Sequence, residues 1–176
     1  HQRACLIIRC FKSRDPTLLF RAFSVYVRPI LEYCSPVWSP VYKTDIVKIE
    51  NIKRRFTKKL RGCKNLSYID RLQLLGAETL ELRRLKQDLC TIYKIINNLT
   101  SFNSSVYFQF DTHARDTRLA AESNSYCINK PFCRTFGFQN DFFQRCISCW
   151  NSLPNTVVES SSTKLFKCEL DNINLS

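Results

Sequence analysis

Leu82, Leu85, Leu89, Ile92, Ile96 and Leu99 fall at steps of 3, 4, 3, 4 and 3. Only an α-helix turns that spacing into one continuous apolar face. A helix with such a face cannot bury it alone, so a chain built around it must fold through helix-on-helix contacts. The flanking sequence reads the same way. Asp15-Pro16 is a helix start, Asp as N-cap and Pro in the first turn. The Leu18, Leu19, Phe20, Ala22, Phe23 and Tyr26 that follow are apolar nearly all round, which implies burial on more than one side. Pro29 ends or kinks that helix. A second short helix with Ile30, Leu31 and Tyr33 is expected up to Pro36, with Glu32 positioned to pair with Arg28 one turn away. Trp38, between Pro36 and Pro40, is expected in a turn with its indole packed against the helices.

Thr44 is the expected cap of the next helix, whose stripe is Ile49, Ile52, Phe56 and Leu60 and whose C′ residue is Gly62. Ser67 and Asp70 form a capping-box pair for a short helix that Gly76 ends. From residue 100 to 125 the chain is polar and rich in Ser, Thr and Asn, as a connection would be. Residues 126–133 predict a short strand. Residues 140–152 predict a helix with Phe143, Cys146, Ile147 and Trp150 on one face, stopped before Pro154. Residues 162–173 predict another, with Phe166, Leu170 and Ile173 in line. Neither can bury its stripe alone, so the two are expected to pack together. The fold class that follows is mainly α: a helical bundle over 1–100, a linker over 101–125 and a small α, minor β subdomain over 126–176.

The net charge is +12, with a pI near 9.4, which favours a polyanionic partner. Location sharpens this. Residues 43–72 carry ten Lys and Arg against three acids, a net +7, and the rest of the chain only +5. Lys53, Arg54, Arg55, Lys58, Lys59 and Arg61 are contiguous on one predicted helix, with almost no acidic neighbours. Cations so placed neutralise phosphates and release counterions, and these six are the candidate nucleic-acid-binding residues. The simpler alternative for such a run is a solvated helix face. No stretch of 18 apolar residues exists, and residues 4–11 are too short, and too interrupted by Arg9, for a signal peptide.

Ten cysteines invite a disulfide or metal reading. Without a secretion signal, reduced thiols among apolar neighbours are expected, in an intracellular protein, nuclear or cytoplasmic. Cys127, Cys133, Cys146 and Cys149 imitate zinc spacing, but Cys146 and Cys149 fall on a predicted helix and no histidine follows at ligand spacing. Neither a metal nor a cofactor is expected. Asp111 and His113 could form an acid–base or ligand pair, but no third partner is visible.

Three blocks carry a resemblance. Residues 27–40 read Val-Arg-Pro-Ile-Leu-Glu-Tyr-Cys-Ser-Pro-Val-Trp-Ser-Pro. Ile-Lys-Arg-Arg-Phe-Thr-Lys follows at 52–58, then Leu-Ser-Tyr-Ile-Asp-Arg-Leu at 66–72 and Leu-Glu-Leu-Arg-Arg-Leu at 80–85. Trp-Asn-Ser-Leu-Pro stands at 150–154, with Leu-Phe-Lys-Cys-Glu-Leu-Asp at 165–171. In this order they resemble the C-terminal, thumb and post-thumb, region of reverse transcriptases from non-LTR (LINE, jockey-like) retrotransposons. The resemblance implies a thumb-like bundle gripping RNA and DNA or an RNA–DNA hybrid, downstream of a palm domain of the same polyprotein. The first residue is His1 and the chain has no methionine, in keeping with a severed frame. In that family the palm supplies adjacent aspartates that hold Mg2+. This chain has eight aspartates, no two adjacent, and no Asp-Glu or Glu-Glu pair. It is therefore expected to bind but not to polymerise. The C-terminal region is expected to be a hydrophobic mini-core with a charged rim. The alternative there is RNA recognition through Lys130, Arg134, Phe132 and Phe136. A runner-up for the whole chain is a stand-alone module, binding nucleic acid or presenting its 82–99 seam to a protein partner.

Overall fold

The computed structural model describes residues 2–110 and 124–173. It is mainly α: α1 (Gln2–Cys10), α2 (Pro16–Tyr26), α3 (Arg28–Glu32), α4 (Ser35–Trp38), α5 (Lys43–Lys58), α6 (Tyr68–Leu74), α7 (Leu80–Ile96), α8 (Ser104–Tyr107), α9 (Phe136–Gln139), α10 (Phe142–Arg145), α11 (Ile147–Asn151), α12 (Asn155–Val158) and α13 (Thr163–Asn172). The expected strand near 126–133 is reduced to a single antiparallel bridge between Phe110 and Ile128. Asn129 donates to the Gln109 carbonyl at 2.7 Å. Pro131 then has no N–H to continue a ladder.

Two compact units divide the chain at Arg84 and Leu85. The boundary lies inside α7, not in the polar connection after residue 100, where composition placed it. The C-terminal half of α7 belongs to the second unit because Leu89, Ile92 and Ile96 pack in that unit's core.

In the first unit Phe23 is fully buried, stacked on Phe56 at 4.6 Å and on Phe20 at 6.1 Å. Leu19, Ala22, Val27, Leu60 and Cys63 complete the core with Ala4 and Ile7 from α1. The Asp15 carboxylate accepts from Leu18 N–H at 2.9 Å, and Pro16 opens α2. Pro29 lies in the first turn of α3, separated from α2 by the distorted Val27. Glu32 accepts from Arg83 Nε at 2.6 Å and from Arg83 Nη2 at 3.3 Å, and is held more loosely by Arg28 at 3.9 Å. Trp38 departs from expectation. Its indole is 38% exposed, and its N–H donates to the Tyr33 carbonyl at 2.6 Å, fastening a turn instead of filling a core.

The second unit is built around Trp150, fully buried, whose indole N–H donates to the Tyr126 carbonyl at 3.0 Å. Phe166 of α13 stacks on Tyr93 of α7 at 4.3 Å and meets Trp150 at 6.1 Å. The expected 140–152 helix is two shorter ones, α10 and α11, meeting at Cys146, where Arg145 and Cys146 both turn to Asp88.

The α6 and α7 ends follow one rule. Gly76 (φ 55°) and Asn98 (φ 53°) each sit two residues past the last helical one. Gly76 N–H reaches the Gln73 carbonyl and Ala77 N–H the Leu72 carbonyl. Asn98 N–H reaches Ile95 and Leu99 N–H reaches Lys94. Both are Schellman closures, which need a left-handed residue where glycine or asparagine costs least. Leu99, the last expected seam residue, is thereby placed beyond the helix and left exposed.

Candidate nucleic-acid interface

α5 has no glycine or proline, an acid (Asp45) in its first turn and Arg55 and Lys58 in its last. All suit the helix dipole. Tyr42 is the N-cap, and its side chain does not cap the helix. Thr44, the expected cap, lies within the first turn. Asp45 accepts from Lys48 at 2.8 Å.

The buried side of α5 has two parts. One is apolar: Phe56 on Phe23, with Ile52 and then Leu60. The other is a polar seam running through Glu50, Lys53 and Thr57, all buried. Glu50 accepts from the Tyr68 hydroxyl and, at 2.9 Å, from Leu80 N–H. The Lys53 ammonium donates to the Glu78 carbonyl and lies 5.7 Å from the centre of the Phe20 ring. Arg71, also buried, donates to the Arg54 carbonyl at 2.9 Å, to the Thr57 hydroxyl at 3.2 Å and to the Ser67 carbonyl at 3.2 Å. The capping box expected from Ser67 and Asp70 is present in full and fixes the start of α6, which carries Tyr68 and Arg71.

Burial sets the protonation of this seam. Desolvation holds the Lys53 ammonium down at about 8, with Glu50 pulling the other way. Tyr68 is pushed well above the ordinary tyrosine range, first by burial and then by its bond to Glu50.

One candidate cation is therefore corrected. Lys53 is 2% exposed and spends its charge inside the fold. Its position in the sequence shows why. It stands four after Ile49, three before Phe56 and seven before Leu60, on the apolar stripe itself. The remaining candidates, Arg54, Arg55, Lys58, Lys59 and Arg61, are all exposed. Among the described residues none of the five is in an ion pair. The Arg54 guanidinium lies over the Tyr68 ring, 4.5 Å from its centre, so its direction is fixed while its charge stays available. Arg55 and Lys59 border a shallow hollow floored by Ala4, Ile8, Ile52 and Phe56, where Lys59 contacts the Cys5 sulfur at 3.9 Å. Of the ten cations in 43–72, only Lys53 and Arg71 are buried.

The cysteines are less interior than expected. Cys63, Cys90 and Cys146 are buried, whereas Cys10, Cys34 and Cys168 are exposed and the other four intermediate. Among the described residues no three metal-ligand side chains converge. Burial and the neighbouring Asp88 push the Cys146 thiol far above its usual range. Asp111 and His113 lie outside the described residues.

Among the described residues no helix is long and apolar enough to cross a membrane. No protein-family model matches the chain. No solved structure matches it. An uncharacterized protein from Caenorhabditis elegans is 30% identical over 94 residues, covering 52% of this chain and 48% of that protein. The chain thus spans about half the length of the relative it matches.

Proposed function

We propose that this chain is a nucleic-acid-gripping segment of thumb type, the C-terminal, non-catalytic part of a non-LTR (LINE, jockey-like) RNA-directed DNA polymerase. It binds RNA and DNA or their hybrid through the solvent face of α5. One observation carries the reading. Arg54, Arg55 and Lys58 on α5, with Lys59 and Arg61 in the turn that follows it, are exposed and, among the described residues, free of carboxylate partners, while the opposite side of α5 is locked down by Phe56 and the Glu50–Lys53–Arg71 seam. Cations held in that way meet a phosphate backbone without first having to break ion pairs of their own. The blocks at 27–40, 52–85 and 150–171 support the same reading by resemblance. The reading assigns grip to this chain. Nucleotide transfer and its Mg2+ belong to an upstream palm.

Binding of this kind is indifferent to sequence and steep in salt. Five phosphate contacts predict an affinity loss of roughly 10²–10³ between 50 and 200 mM salt. Fluorescence anisotropy with a labelled RNA, a DNA duplex and a hybrid of scrambled sequences measures it. An affinity that holds constant over that range removes the phosphate grip. The alternative in which the 82–99 seam serves a partner protein loses support, because Leu89, Ile92 and Ile96 are consumed in the chain's own core.

A further inference from the structure

The first helix carries charge that its own fold does not use up. Residues 2–14 hold Arg3, Arg9, Lys12 and Arg14 and no acidic residue, and all four cations are exposed. Among the described residues none of the four is in an ion pair. Helix chemistry accounts for part of this. Arg14 donates to the Ile8 carbonyl, one of the last in α1, and Arg9 in the last turn suits the helix dipole. Lys12 lies past the helix and serves neither purpose.

α1 lies against α5. Ala4 and Ile7 are buried in the same core as Phe56 and Leu60. Ala4, Cys5 and Ile8 share the shallow hollow with Ile52, Arg55, Phe56 and Lys59, and the Lys59 ammonium meets the Cys5 sulfur at 3.9 Å. Arg9 stands four residues after Cys5, one turn along on the same side of α1. It therefore continues the rim that Arg55 and Lys59 begin. Arg3, two residues before Cys5, points roughly 160° away around the helix. The stretch that carries Lys12 is fastened on both sides. Phe11 N–H donates to the Ile7 carbonyl at 3.2 Å, Arg14 holds Ile8, and Asp15 caps α2. Charges set in place before a ligand arrives lower the cost of binding it. Arg9, Arg55 and Lys59 border one apolar hollow with no carboxylate among its lining residues. Like charges so gathered repel one another, and a polyanion relieves the repulsion.

We propose that α1 is a second arm of the grip. Arg9 and Lys12 hold phosphates of the same nucleic-acid backbone that the exposed cations of α5 hold, and the apolar hollow lies beneath the strand between the two helices. This rests on the α5 reading above and extends it from one helix to two. A nucleic-acid backbone carries its charges in an unbroken series, so a single ligand meets cations on both helices at once. Arg14, engaged with Ile8, fixes the arm in place.

The test is the slope of log affinity against log salt, measured by anisotropy of the full chain with a labelled DNA duplex. Arg9→Gln/Lys12→Gln should lower the slope by roughly 1.8, at about 0.9 per phosphate contact. Arg3→Gln, which removes a charge from the far side of the same helix, should leave it unchanged. Arg9→Lys/Lys12→Arg, which alters both side chains but keeps their charge, should leave it unchanged as well. All three positions are exposed, so thermal melting by circular dichroism should match the wild type for every variant. A wild-type slope for Arg9→Gln/Lys12→Gln overturns the second arm, and leaves the α5 grip standing if Arg54→Gln/Arg55→Gln/Lys58→Gln has lost slope. An equal loss per charge in Arg3→Gln also overturns it, because net charge and not place would then set binding. So does a loss in the charge-keeping variant, which would mean that these residues act through the fold. A wild-type slope for the α5 triple variant removes the α5 reading, and the second arm with it.

Discussion

Replacing Lys53 by methionine separates a structural cation from the binding row beside it. The ammonium is 2% exposed, and its acidity is shifted from 10.5 to about 8 by burial. Between those values the unfolded chain holds a proton that the folded chain has released, so stability rises with pH across the window. Below about 8 both states are charged, and the full cost of burying that charge is present: about 3 kcal/mol at 1.36 kcal/mol per unit. The methionine side chain removes that cost but leaves the Glu78 carbonyl without the ammonium donor, a loss of about 2 kcal/mol. The two nearly cancel, so Lys53→Met should change stability at pH 7 by no more than about 1.5 kcal/mol in either direction. The informative quantity is how the difference between the two proteins varies with pH. From pH 7.5 to 9.5 the wild type should gain about 2 kcal/mol on the variant, since titration of Lys53 relieves its burial in that range. Tyr68 and the buried thiols titrate outside or alongside this window, but they are common to both proteins and drop out of the difference. Urea denaturation of the full chain by circular dichroism at four pH values measures it. A difference that stays flat with pH refutes the reasoning, because it would mean that Lys53 is neither dry nor shifted.

Arg145→Met takes the guanidinium from Asp88, whose carboxylate side chain is 4% exposed, and should cost about 3–5 kcal/mol in urea denaturation. Trp150→Ala empties the centre of the second unit and releases the Tyr126 carbonyl. A loss of about 3–5 kcal/mol is expected, beyond what the unit could absorb without partial unfolding. Gly76→Ala meets no atom within 4 Å, yet must hold φ 55°, so it should cost about 1 kcal/mol by thermal melting, all of it conformational. Brief alkylation of the native chain should label Cys10, Cys34 and Cys168 first and leave Cys146 unmodified until urea is added, as peptide mass mapping would show.

The helical character was legible wherever periodicity and capping agreed. Asp15-Pro16, Ser67 with Asp70, and Gly76 all act where the sequence places them. Periodicity misled where it said less than it appeared to. The 82–99 seam named one stripe, but Cys90, Tyr93 and Ile95 are buried as well, because the second half of α7 is surrounded. A spacing pattern marks the first buried face and is silent about a second. Trp38 and Trp150 look equally anchoring in sequence. Only the tertiary arrangement decides that Trp150 fills a core and Trp38 fastens a turn. The burial of Lys53 was legible in its register on the Ile49–Phe56–Leu60 stripe, which prevails over its charge. Arg71 was not legible. Nothing local says that its guanidinium will satisfy the Arg54 carbonyl from a different helix. The break at Cys146 has no proline or glycine to announce it and answers to Asp88, far away in sequence.

The central claim is that the exposed α5 cations, and not the buried one among them, hold the phosphate backbone. The slope of log affinity against log salt tests it with one labelled duplex and three proteins. Arg54→Gln/Arg55→Gln/Lys58→Gln should reduce the slope by about 2–3, nearly one per lost phosphate contact. Lys53→Met, which also removes a positive charge, should leave the slope where the wild type has it. Equal slopes for the triple variant and the wild type, or a reduced slope for Lys53→Met, would contradict the account.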